Sequence, residues 1–158
     1  MRKINIVKIY DMDGTIVDSM HRYRTITEGG ITRIDLDHWR ENQHRAMEDS
    51  LLPLAKQYQA DLLDVDTYVI IATARVLNDP DRQFICEILG QPDYIVSRKD
   101  GDPQSGKTLK IKGLPRFFNL KQFRKASAVF YEDNISYLKA VCDHFGIAGV
   151  YVPSQQGH

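Results

Sequence analysis

The chain is predicted to be an α/β protein built on a parallel sheet, on three observations. Short, near-continuous apolar runs recur at residues 4–10, 69–72, 94–96, 128–131 and 149–152. Runs without polar alternation suit strands covered on both faces. Helical patterns with their own start and stop signals lie between those runs, and such alternation argues for an open sheet flanked by helices. Finally, 158 residues with 42% hydrophobic and 27% charged side chains describe one ordinary globular domain, large enough to bury a core without a disulfide or zinc staple.

Taken in order, residues 4–10 are β-branched and stop at Asp11-Met12-Asp13-Gly14, so they read as a strand. More than fifty residues then precede the second run, too many for one crossover helix. Within them Leu36, Trp39, Gln43, Met47, Leu51, Leu54, Tyr58 and Leu62 recur three or four apart, which predicts helix with this stripe in the core. Pro53 is tolerated only in a first turn, so the helical stretch should split near Asp49-Ser50. Asp79-Pro80 reads as an N-cap followed by proline in the first turn, with Phe84, Ile85, Ile88 and Leu89 apolar and Gly90 as the stop. Pro115 starts a short helix through Phe123. Asn134 caps a helix carrying Ile135, Leu138, Val141, Cys142 and Phe145, ended by Gly146. Asn78 and residues 154–158 read as a loop and a frayed end. There is no internal repeat, low-complexity tract or linker.

Net charge is zero, so no global field draws the chain to nucleic acid or membrane. The charge is nevertheless uneven. Residues 28–66 hold nine acids against four bases, and residues 97–125 hold nine bases against Asp100 and Asp102. The basic stretch is either a solvated face or a lobe that receives a phosphate-bearing substrate. No stretch approaches ~18 uncharged apolar residues, so no membrane span is expected, and the start of the chain lacks the pattern of a secretory signal. Cys86 and Cys142 lie in apolar helical patterns and are expected to be buried thiols in a reducing, cytoplasmic compartment. The five histidines show no zinc spacing.

The chemistry concentrates in Asp11-Met12-Asp13-Gly14-Thr15. Residues i and i+2 of an extended chain point the same way, so two carboxylates leave the carboxyl end of the first strand together. Ligands bind at that edge in open α/β sheets. Gly14 permits a sharp turn and a close approach to the backbone. Two adjacent carboxylates are costly unless a cation neutralises them.

Three further segments stand with this motif in a definite order. Ile70-Ile71-Ala72-Thr73 is a strand ending in a hydroxyl, the stretch from Lys107 to Lys112 is basic, and Phe130-Tyr131-Glu132-Asp133-Asn134 is a strand ending in acids. Asp-x-Asp-Gly-Thr followed by these three resembles the four ordered motifs of the haloacid dehalogenase-like (HAD) phosphohydrolases, over about residues 4–152. The resemblance implies a Rossmann-like HAD fold, with a parallel sheet ordered 5-4-1-2-3 and the site at its carboxyl edge. It implies Asp11 as the nucleophile that forms an aspartyl-phosphate and Asp13 as general acid and base. It also implies Mg²⁺ between Asp11, the carbonyl of Asp13 and Asp133, with Glu132 beside them or reached through water. Thr73 and a lysine would hold the phosphoryl oxygens. Lys107, Lys110 and Lys112 all qualify by position. Thr108-Leu109-Lys110-Ile111-Lys112 is similar to a Thr-x-x-aromatic-Lys pattern of RNA-repair phosphatase domains, with Ile111 in place of the aromatic, and this favours Lys112. Thr73-Ala74-Arg75 is similar to the Ser/Thr-Gly-Arg of polynucleotide 3′-phosphatase domains, which makes Arg75 either a phosphate fork or the partner of a nearby acid. Asp18, Arg22 and Arg24 are expected at the rim, the two arginines on the surface.

One domain is expected, with a core of about 1–18 and 67–153 and a small helical insertion over about 19–66. An open site would favour a nucleic-acid end, a lidded one a nucleotide or small metabolite. The basic stretch and the two patterns favour nucleic-acid 3′-phosphates. A nucleotidase and a non-catalytic binding protein on the same fold are the alternatives.

Overall fold

A computed structural model describes residues 3–114 and 121–154. The first apolar run becomes β1 (Ile6–Tyr10). The long insertion holds β2 (Val17–Asp18), a hairpin of β3 (Thr25–Glu28) and β4 (Ile31–Ile34), helix α1 (Leu36–Glu41), a 3-10 turn over Gln43–Glu48, β5 (Ser50–Leu51) and helix α2 (Ala55–Leu63). Then follow β6 (Thr67–Val76), α3 (Asp79–Phe84) running into a π-helical turn over Ile85–Leu89, β7 (Tyr94–Arg98), α4 (Gly106–Gly113), β8 (Ser127–Glu132), α5 (Ile135–Phe145) and β9 (Ala148–Tyr151).

The five long strands form one parallel sheet in the order β7-β6-β1-β8-β9. Numbered along the chain this is 3-2-1-4-5, the predicted order read from its other edge. The period-two alternation of each strand splits the core in two. Ile9, Ile70 and Phe130 face α4 and α5 with Leu109, Leu138 and Val141. Tyr10, Ile71 and Val69 face the other way, onto Ala55 and Tyr58 of α2 and onto Phe84, Ile85 and Leu89. Thus α2 packs on the sheet although it closes the inserted stretch. β1 is covered on both faces, which is why its run is apolar but for Lys8, whose ammonium is met by Asp61 at 3.0 Å.

The helix signals worked where they were local. The Asn134 side chain accepts from the Tyr137 N–H at 3.1 Å, and Gly146 ends α5 at φ 64°. At α3 the cap is Asn78 instead of Asp79. Asp81 reaches back to the Asn78 N–H at 3.0 Å, so Asp79 becomes the first helical residue. The split in the inserted helices falls at β5, where Pro53 predicted it.

Three expectations are corrected. The insertion is not helical alone: residues 25–34 form the β3–β4 hairpin, turning at Gly29 and Gly30 with φ 58° and 79°. Leu36 and Leu51, expected in the core stripe, are 50% and 39% exposed. Cys86 is exposed and Cys142 half-buried, because the helix over residues 79–89 buries Phe84, Ile85 and Leu89 and turns Cys86 to solvent. The helix expected from Pro115 lies largely outside the described residues, leaving a 3-10 turn over Lys121–Phe123.

Candidate active site

β1 and β8 are neighbours, with Tyr10 opposite Tyr131, so their carboxyl ends deliver acids to one place. The Asp11 N–H still donates to the Tyr131 carbonyl at 2.9 Å. The chain then turns over Met12, whose carbonyl accepts from Thr15, Ile16 and Val17 at 3.0–3.2 Å. Asp11, Glu132 and Asp133 are all buried, and each offers an oxygen within 4.8 Å of the others. Three convergent carboxylate oxygens are hard donors that suit a small divalent cation.

Gly14 does not line the cleft; it makes the acid cluster possible. Its φ is 78°, and a Cβ there would lie 2.1 Å from Asp133 Oδ2 and 2.6 Å from Ser154 Oγ. Gly14→Ala should therefore cost roughly 1–2 kcal/mol from the left-handed backbone alone and displace Asp133. Thermal melting would show the first effect; the second would show by calorimetry as weaker binding of whatever divalent cation these acids take up, and an unchanged affinity would contradict the placement.

The lysine that reaches the acids is Lys110. Its buried Nζ donates to Asp11 Oδ1 at 2.8 Å and to Glu132 Oε2 at 2.6 Å. Lys112, favoured on sequence, is exposed, as is Lys107. Helix phase explains the difference in placement: residues two apart do not share a face, so once Lys110 points inward Lys112 points out. Burial pushes the Lys110 ammonium down, but the charges of Asp11 and Glu132 outweigh it and hold Lys110 protonated. For Glu132, burial and the Asp11 charge push the carboxyl upward against the pull of Lys110.

On the other side of β1, Asp13 is gripped by Arg75. Arg75 Nε and Nη2 donate to its two oxygens at 2.8 and 2.5 Å, and Ser19 Oγ donates at 2.7 Å. Burial pushes the Asp13 carboxyl up, but the charge and hydrogen bonds of Arg75 win and hold it below the ordinary carboxylate range. Arg75 also donates to Asp81 at 2.7 Å and Asp49 at 2.9 Å. Its guanidinium is thus engaged by three carboxylates and is not a free phosphate fork. Thr73 is buried one residue before Ala74, where the cleft wall begins, and its Oγ accepts from the Arg75 N–H at 3.1 Å.

Arg22 was expected on the surface and is fully buried. It donates to both oxygens of Asp49, at 3.0 and 2.9 Å, and its guanidinium carbon lies 4.3 Å from the centre of the Trp39 ring. Asp49 and Asp81 carried no sequence signal for this role: one lay at a predicted helix break and the other in a first helical turn. Arg24 pairs with Asp35 at the surface, as expected, and Asp18 caps the turn at Met20.

The acids open into a cleft of about 1110 Å³. Asp11, Asp13, Lys110, Glu132 and Asp133 line its floor. Tyr23, Ile34, Leu36 and Trp39 of the inserted stretch form one wall, and the loop from Arg98 to Gly106 with Tyr137 forms the other.

Comparison with known proteins now separates family from fold. The model of a family described as bacteriophage T5 5′-deoxynucleotidase matches residues 1–99. The chain belongs to this family. The 5′-deoxynucleotidase of Escherichia phage T5 is 33% identical over 87 residues, which is 52% of this chain and 34% of the phage protein, so the chain spans about a third of that relative. The deoxynucleotidase-family match includes Asp11, Asp13, Thr73 and Arg75 but ends before Lys110, Glu132 and Asp133. The HAD domain of the effector Lem4 from Legionella pneumophila aligns at TM-score 0.60 and 11% identity, covering all of this chain and 90% of that one. A structure of the Pnkp1/Rnl/Hen1 RNA repair complex aligns at TM-score 0.65 and 18% identity, over 96% of this chain and 43% of that one. A Lactobacillus plantarum protein described as a phosphoglycolate phosphatase aligns at 0.53 and 12%, over 94% and 86%. The deoxynucleotidase-family chain therefore has the HAD-like fold expected from its motifs. Among the described residues no helix is long and apolar enough to cross a membrane.

Proposed function

We propose that this chain is a Mg²⁺-dependent phosphomonoester hydrolase whose preferred substrate is a deoxynucleoside monophosphate. The observation that carries the reading is the floor of the cleft, where Asp11, Glu132 and Asp133 converge with Lys110 opposite Asp11. Asp11, Asp133 and the Asp13 carbonyl would hold the cation, with Glu132 beside them. A bound divalent cation lets two anions, carboxylate and phosphate, meet. Asp11 attacks phosphorus, an aspartyl-phosphate forms, and the ester P–O bond breaks. Asp13 must carry a proton to the leaving alkoxide and then take one from the water that hydrolyses the intermediate; Arg75 keeps it ionised at rest, so one of its oxygens has to leave the fork for that transfer. Lys110 holds phosphoryl oxygens as charge spreads over them. The Thr73 hydroxyl accepts one bond from the backbone and keeps its own proton to donate.

The cleft wall supports a nucleotide over a bare phosphoester. Leu36 is half exposed beside Trp39, Ile34 and Tyr23, a partly apolar surface on which a flat base can rest. The family match agrees with this reading. A nucleic-acid 3′-phosphate is the second reading, favoured by exposed Lys107 and Lys112 on the helix that carries Lys110. Cytoplasmic residence belongs to the same proposal, since an exposed Cys86 thiol suits a reducing compartment.

Phosphate release from deoxynucleoside monophosphates should require Mg²⁺ and cease with chelator. A 3′-phosphorylated oligonucleotide should turn over more slowly; the reverse order would install the second reading. Lys110→Ala should lower kcat/KM on a mononucleotide by about 10²–10³-fold, and Lys112→Ala should leave it nearly unchanged. Equal losses in both would return the phosphate-holding role to Lys112.

A further inference from the structure

Asp13 takes part in the proposed reaction, yet its own loop does not orient it alone. Its two oxygens are held by the Nε and Nη2 of Arg75, a side-by-side pair of bonds that fixes the plane of the carboxylate. The question is then what fixes Arg75. Its Nη1 is taken by Asp81, and its Nη2 is shared with Asp49 Oδ2 at 2.9 Å. Asp49 is wholly buried and is the hub of this side of the cleft. Its Oδ1 accepts from Arg22 at 3.0 Å and meets His21 Nε2 at 2.7 Å; its Oδ2 accepts from Arg22 at 2.9 Å and from Arg75. The Trp39 ring covers both guanidinium groups, 4.3 Å from the carbon of Arg22 and 5.5 Å from that of Arg75. Asp49 lies in the inserted stretch, after the 3-10 turn of residues 43–48, and its N–H is tied back to the Ala46 carbonyl at 3.0 Å. A brace from the insertion therefore runs through Arg75 to the proton-transferring carboxylate.

We infer that Asp49 is a positioning residue for Asp13, acting through Arg75, so that the inserted stretch sets the geometry of proton transfer to the leaving group. This rests on the phosphomonoesterase reading and adds to it a role for the insertion beyond walling the cleft. The physical argument is that a buried carboxylate shared by two guanidinium groups keeps both in one arrangement. Without it the Arg75 fork can rotate, and small misplacements of a proton donor are costly in rate.

The leaving group reads this out. An alkoxide, such as the sugar oxygen of a nucleotide, needs a proton as it departs; the p-nitrophenolate of p-nitrophenyl phosphate does not. Asp49→Asn keeps the side chain's shape and removes its charge. With Mg²⁺ present, its kcat on a deoxynucleoside monophosphate should fall about 10-fold further than its kcat on p-nitrophenyl phosphate, with KM for the nucleotide little changed. Equal loss on both substrates, or no loss, overturns the inference, since a purely structural Asp49 would slow both alike. Should Asp49→Asn fail to fold, Arg75→Lys carries the same test: it keeps a charge but loses the fork. A rise in the aryl-to-alkyl rate ratio supports positioning, whereas a rise in KM common to both substrates makes Arg75 a phosphate ligand and overturns it. If the unaltered protein hydrolyses neither compound, the phosphomonoesterase reading fails first and this inference falls with it; if it hydrolyses both and the variants keep its ratio, this inference alone fails.

Discussion

Asp11→Asn should fold normally and lose phosphate release by at least ~10³-fold, the scale expected when a covalent nucleophile is removed. Asparagine fits the space of the carboxylate and can still accept a bond from Lys110, which now holds Asp11 Oδ1 at 2.8 Å. What disappears is the charged oxygen that would attack phosphorus. Steady-state phosphate release, with circular dichroism as the folding control, checks both halves. Retained Mg²⁺-dependent turnover in a folded variant would remove Asp11 as nucleophile and with it the aspartyl-phosphate. The same variant should trap unhydrolysed nucleotide in the cleft, because Asp133 and Lys110 are left in place.

Arg22→Ala should produce the largest loss of stability, about 3–5 kcal/mol, because it removes a guanidinium that pairs with both oxygens of buried Asp49 and leaves that charge to Arg75 and His21 alone. Its side chain and that of Asp49 are both fully buried. Arg22 also lies 3.5 Å from Asp81 and stacks on Trp39, so the truncation removes packing as well as charge. For a domain of this length the loss corresponds to a melting point lower by roughly 6–20 °C. Added salt should not close the gap, since buried pairs are screened far less than surface ones. A shift that vanished in salt would mean that Arg22 belongs at the surface after all.

The fold was legible because its determinants are local. The β1 run is apolar at every position but Lys8 because the sheet is covered on both faces. Asn134 and Gly146 bracket α5 by cap chemistry that acts within one turn. The β3–β4 hairpin went unread for a related reason. Its strands are largely exposed, so the signals present were the β-branched Thr25-Ile26-Thr27 and Ile31-Thr32 around Gly29-Gly30, without the buried apolar face that marks a half-buried strand. The acids of the site were legible through strand ends: Asp11, Asp13, Glu132 and Asp133 each follow an apolar run that stops, and the structure brings all four to the same cleft.

Sequence alone determined which carboxylates gather at the sheet's edge, since a run of apolar residues ending in acids points them there whatever else the chain does. Tertiary structure alone decided which cations answer them. Lys110 meets Asp11 across 99 positions and Arg75 meets Asp13 across 62. Neither choice is written nearby, because a long charged side chain on a surface-like segment looks the same whether it ends in water or on a buried acid. The decision belongs to helix phase and to the approach of distant elements: one turn of α4 sends Lys110 in and Lys112 out, and the insertion brings Asp49 beside Arg22 and Arg75. Removing those cations from water is tolerated only because the carboxylates are already there to receive them.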